Sequence, residues 1–121
     1  MFIENKYNKH ATKGDVNNSS ASLLNNQASA VNITGLSFDN SISKSFIVKL
    51  TVNIDATIDL EEEFTIKAVY TGTDWTYTMT SVGEDSQVFP SVTSAGQVQY
   101  TTPSYSGFVS ATAYFRAFTV D

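Results

Sequence analysis

Ser45-Phe46-Ile47-Val48-Lys49-Leu50-Thr51-Val52-Asn53-Ile54-Asp55-Ala56 is the stretch that decides the fold class. Phe46, Val48, Leu50, Val52 and Ile54 occupy every second position, with Ile47, Lys49, Thr51, Asn53 and Asp55 between them. A period of two sends alternate side chains to opposite faces of a strand, so one face is dry and the other mostly wet. A helix would scatter the same five apolar residues around its circumference.

The same alternation continues on both sides of this segment. Downstream, Phe64, Ile66, Ala68 and Tyr70 alternate with Thr65 and Lys67, after an acidic connection over Asp55 to Glu63. Thr71-Gly72-Thr73-Asp74 forms a turn into Trp75, Tyr77 and Met79, which alternate with Thr76 and Thr78, so a hairpin is predicted. Val82 to Ser86 has the composition of a loop. The segment around Val88 to Thr93 contains Pro90, which has no N–H for a ladder and therefore belongs at an edge or bulge. Ser94-Ala95-Gly96 turns the chain into Gln97 to Thr102, and Pro103 to Gly107 supplies the last loop.

Upstream, Val31 and Ile33 alternate with Asn32 and Thr34, and Gly35 interrupts before Leu36 and Phe38, which predicts a strand with a bulge or a close backbone approach. Asp39-Asn40-Ser41 follows as a turn. Phe108 to Val120 is apolar on both faces, so this strand is expected to be central or covered by another subunit, with Val109 and Phe115 as candidate subunit-interface residues. Strands at such spacings predict an all-β chain: an antiparallel β-sandwich, Ig-like or jelly-roll-like, over residues 28–121.

Residues 1–27 read as an N-terminal arm, extended or partly disordered, rich in Asn, Ser and Lys and without either period; a short helix around Leu23 and Leu24 is weakened by Asn25, Asn26 and the serines. Phe2, Ile3 and Tyr7 are its candidate docking anchors. The beginning, Met1 to Lys6, has no apolar core of a secretory signal, and no apolar run approaches the length of a membrane span.

Composition narrows the chemistry. Among 121 residues there is no cysteine, which excludes disulfides, thiolate metal sites and a cysteine nucleophile. Seven Lys and Arg against twelve Asp and Glu give a formal net charge of −5, the wrong sign for displacing counterions from nucleic-acid phosphates. The single histidine, His10, lies in the arm, where nothing would hold its imidazole beside a nucleophile. Asp55, Asp59, Glu61, Glu62 and Glu63 are the remaining candidates for acid–base or calcium chemistry, but a contiguous acidic run without calcium-loop spacing reads as solvated surface. The chain is therefore expected to be no enzyme and to need no cofactor.

Trp75 and Tyr105 are the candidate ligand or receptor contacts, since an exposed ring can stack on the face of a sugar; the alternation of Trp75, Tyr77 and Met79 favours a core residue at Trp75, which leaves Tyr105, in the last loop, the better candidate. Asn32-Ile33-Thr34 matches a glycosylation triplet inside a predicted strand.

Asn32-Ile33-Thr34-Gly35-Leu36-Ser37-Phe38, Asn53-Ile54-Asp55-Ala56, Val92-Thr93-Ser94-Ala95-Gly96-Gln97-Val98-Gln99-Tyr100, and the closing Tyr105-Ser106-Gly107-Phe108-Val109 through Phe115-Arg116-Ala117 resemble small β-domains of tailed-bacteriophage virion structural proteins. The resemblance implies a virion location after assembly in host cytoplasm, with other capsid or tail proteins as partners. The doubly apolar last strand, which needs covering, adds the expectation of a homo-oligomer, a trimer included. A short arm in place of a long shaft directs the expectation to a capsid decoration or head-fibre component docked through that arm. A tail-fibre module that binds a receptor or a host surface glycan is the alternative.

Overall fold

The computed structural model describes residues 14–121. Eight strands follow one another: β1 (Val16–Ser22), β2 (Val31–Ser37), β3 (Ser45–Asp55), β4 (Leu60–Tyr70), β5 (Trp75–Gly83), β6 (Phe89–Val92), β7 (Gln97–Thr101) and β8 (Ser110–Val120). They form two antiparallel sheets, β1-β8-β3-β4-β5 and β2-β7-β6, packed as a sandwich.

β3 carries the centre, as its alternation requires. Phe46, Val48, Leu50, Val52 and Ile54 are all buried, and β3 pairs without interruption with β4 on one side and β8 on the other. Each such side chain stabilises the fold by about 1.5 to 3 kcal/mol relative to exposure. Ile33, Leu36, Val98 and Tyr100 from the smaller sheet complete the interior. At one end an aromatic group closes the sandwich: Phe38 stacks on Phe46 with centroids 3.9 Å apart, and Phe46 and Tyr70 lie 5.1 and 5.6 Å from Trp75.

Two local expectations hold in detail. Gly35, at a φ of 97°, lies within the register shift between Asn32 and Ser37 on β2. Pro90 sits on β6, an edge strand, where its missing N–H breaks no interior ladder.

Elsewhere the structure corrects the sequence reading. Residues 16–22 are not part of an arm but pair with β8 at the margin of the larger sheet, and Leu23 is buried, so the folded unit begins well before residue 28. No helix forms around Leu23 and Leu24. The acidic connection is shorter than expected, because Glu61, Glu62 and Glu63 already belong to β4 and only residues 56–59 turn the chain. β5 extends through Val82 and Gly83, which had the composition of a loop. The proposed arm anchors Phe2, Ile3 and Tyr7, and His10 with them, lie outside the described residues.

Candidate functional site

Three loops meet at one end of the sandwich: residues 56–59, 84–88 and 102–109. Their geometry is set by a hydrogen-bonded knot around Ser86, which is fully buried. Glu62 Oε1 accepts from the Ser86 amide at 2.9 Å and from Ser86 Oγ at 2.7 Å. The Ser86 carbonyl accepts from the Tyr105 hydroxyl at 2.5 Å, tying the loop before β6 to the loop before β8. Burial pushes the Tyr105 phenol up to about 12, with Asp85 and Glu62 adding to the effect by disfavouring a further negative charge. Gln87 takes a φ of 65° and donates its amide to Asp85 Oδ1 at 2.9 Å, a strained turn that the knot holds in place.

The third loop is tied in by its backbone. Thr57 N–H donates to the Ser106 carbonyl at 3.0 Å, and Val109 N–H donates to the Asp55 carbonyl at 2.8 Å. Asn25 Oδ1 accepts from the Tyr105 amide at 3.0 Å, so the segment after β1 braces this end as well.

Between the loops is an open cleft of about 510 Å³. Ile58 and the Tyr105 ring give it apolar walls, while Asp85, Gln87, Ser104 and Ser106 supply a carboxylate, an amide and two hydroxyls. Such a mixture suits a small, hydroxyl-rich ligand that offers both a C–H face and hydrogen-bonding groups. Asp59 Oδ1 accepts from the Ala56 amide at 3.3 Å and caps its turn, Glu84 Oε1 accepts from the Glu61 amide at 3.1 Å across the end of the β4–β5 pair, and Glu62 is committed to Ser86. Among the described residues, no group of three or more His, Cys, Asp or Glu side chains could hold a metal ion, and no helix is long and apolar enough to cross a membrane.

The residues singled out from sequence separate into different places. Trp75 is 4% exposed and belongs to the aromatic end of the core, so it presents no platform to a ligand. Tyr105 does line the cleft, but half-buried, with its ring stacked on Phe108 at 6.2 Å and its hydroxyl engaged. Phe115 is 5% exposed and faces the interior beneath Gly35, which removes it from any subunit surface. Val109 is 69% exposed in the loop before β8. The outward side chains of β8 are instead Tyr114, Arg116, Phe118 and Val120, with Arg116 lying 4.8 Å over the Phe118 ring. Asn32 of the glycosylation triplet is in β2, and its Oδ1 accepts from Gln99 Nε2 at 2.8 Å.

Ile58, Ser86 and Gln87 escaped the sequence reading. An isoleucine in an otherwise polar turn, 69% exposed here, was the one available signal for the cleft.

No protein-family model matches the chain, and no curated protein does. Among solved structures the chain is similar to the tailspike protein of Acinetobacter phage vB_ApiP_P1. The two superpose with a TM-score of 0.54 at 17% identity, over 85% of this chain and 21% of the tailspike. The likeness establishes a shared β fold. The chain spans about a fifth of the tailspike's length.

Proposed function

We propose that the chain is a non-enzymatic structural module of a bacteriophage virion, displayed on the particle surface. The observation that carries this reading is the likeness of 85% of the chain to part of a phage tailspike. The site chemistry agrees with it, because the carboxylates at the loop end serve as turn caps and knot acceptors. A capsid-decoration or head-fibre role fits a compact displayed domain docked by residues 1–13, with Phe2, Ile3 and Tyr7 as anchors. The tailspike likeness gives the better support to a place on the tail. Quantitative mass spectrometry of purified particles tests the proposal: the protein is expected at fixed stoichiometry, with antibody-labelled particles decorated at the tail. Abundance in infected cells together with absence from particles refutes it.

The cleft beside Tyr105 supports a second reading, a module that binds a host surface carbohydrate. Glycan binding that weakens in Ile58→Ala and Asp85→Asn is the expected result. Binding that is indifferent to both changes removes the cleft from consideration.

A further inference from the structure

We propose that β5 is a pairing edge at which two copies of the chain join antiparallel about a twofold axis through Thr80, turning two five-stranded sheets into one of ten strands. The inference is independent of the virion reading.

Edge strands leave a row of unpaired N–H and C=O groups, and natural sheets blunt them with bulges, prolines, charges or shortness. Among the described residues, three of the four edges are blunted. β6 has four residues and contains Pro90; β2 is broken by the irregularity at Gly35; β1 is broken between Val16 and Ser19. β5 has none of these devices. Its nine residues run in unbroken register against β4 from Trp75 opposite Tyr70 to Gly83 opposite Glu62, without a charge or a proline.

The direction of the free groups follows from two hydrogen bonds. Trp75 N–H donates away from β4, to the Ser94 carbonyl at 3.1 Å, whereas Glu84 N–H donates to the Glu61 carbonyl at 2.8 Å, on the β4 side. Backbone groups alternate in direction along a paired strand, so Tyr77, Met79 and Ser81 turn theirs outward with Trp75. No other described segment takes them up.

Charge selects a second copy as the occupant and fixes the register. On the outer face Lys67 stands beside Thr78 and Glu63 beside Val82. A twofold axis through Thr80 places Thr78 opposite Val82 of the second copy, so each Lys67 shares a row with the other copy's Glu63. The contact is self-complementary, as a twofold interface must be. The backbones of the two residues are three strand spacings apart, about 14 Å, so the two charges lean toward each other over Thr78 and Val82 and attract along the row without touching. Moving the axis to Thr78 would instead align the two lysines and would need the Trp75 region, whose N–H is already used. In the preferred register Met79 pairs with Ser81, and Val82, 67% exposed, comes to the rim of the depression lined by Ile47, Val69 and Thr78.

Light scattering and sedimentation on the full chain test the proposal. The expected mass rises with concentration from 13.2 kDa to twice that value. Ser81→Pro removes an outward amide and spares the β4 ladder, and Thr80→Lys puts two like charges on the axis. Each should weaken association by at least about tenfold with an unchanged circular dichroism spectrum. Lys67→Glu should also weaken it, and Lys67→Glu combined with Glu63→Lys should restore it. A chain that stays at 13.2 kDa throughout, an assembly of any other order, an assembly that survives both Ser81→Pro and Thr80→Lys, or a failure of the charge swap to restore association overturns the proposal.

Discussion

Gly96 and Trp75 compete for one space: a Cβ on residue 96 would lie 2.6 Å from Trp75 Nε1 and 2.9 Å from Cδ1, and would also meet the Phe38 carbonyl oxygen. Gly96 has a φ of 93°, and its own carbonyl accepts the Phe38 amide at 2.9 Å, so the turn cannot move away without losing that bond. Gly72 has a similar φ of 102°, but its Cβ position is open. Both Gly→Ala changes incur left-handed strain of about 1 to 2 kcal/mol. Gly96→Ala should add about 1 to 3 kcal/mol of overpacking. Denaturant titrations giving equal losses would contradict this view of the Trp75 pocket.

Leu50 is fully buried on β3, whereas Thr51, on the same strand, points to the outer face. Leu50→Ala should cost about 2 to 5 kcal/mol, and Thr51→Ala should stay within about 0.5 kcal/mol. Val52→Asp, which buries an unpaired carboxylate, should leave no folded protein at room temperature. Thermal melts of the three variants check the order.

The Tyr105 phenol titrates near 10 in an unfolded chain and about 12 in the fold. The neutral phenol is the form the fold favours, so its contribution is complete below pH 10 and is lost as pH rises toward 12. Tyr105→Phe should be less stable near pH 8 by about 0.5 to 1.5 kcal/mol, the worth of the bond to the Ser86 carbonyl. The gap should narrow between pH 10 and 12. A gap that widens there would reverse the assigned sign.

Glu62 and Glu61 are neighbours with different duties. Glu62 holds Ser86 by two bonds, while Glu61 Oε2 accepts one exposed bond from Asn53 Nδ2 at 3.2 Å. Glu62→Ala should cost about 1 to 3 kcal/mol and speed amide exchange at Val88, next to the knot. Glu61→Ala should do neither. Hydrogen exchange of the two variants distinguishes them.

The strands with an apolar stripe were legible from sequence because their burial is one-sided: β3, β4 and β7 announce themselves by period two. β1 was not, since Asn17, Asn18, Ser19 and Ser20 are all exposed and the strand is held by its backbone ladder to β8, which no side-chain pattern records. β5 was read correctly as a strand, yet only Trp75 of its alternating apolar residues is buried, because an edge strand overhangs the core. Phe115, expected at a subunit surface, is buried for a simple reason: in a strand apolar on both faces, composition does not tell inside from outside, and the three small inward alanines 111, 113 and 117 gave no clue. The Glu62–Ser86–Tyr105 knot joins positions far apart in the chain, so nothing local foretold it.

The middle position of β3 between β4 and β8 governs how the chain emerges from a ribosome. One flank of β3 is satisfied soon after synthesis, but the other waits for a strand that starts at Ser110, 55 residues after Asp55. At about 5 to 20 residues per second the nascent chain holds that flank open for roughly 3 to 11 s. During that interval the stickiest part of the sequence is exposed to whatever chaperone or neighbouring nascent chain is at hand.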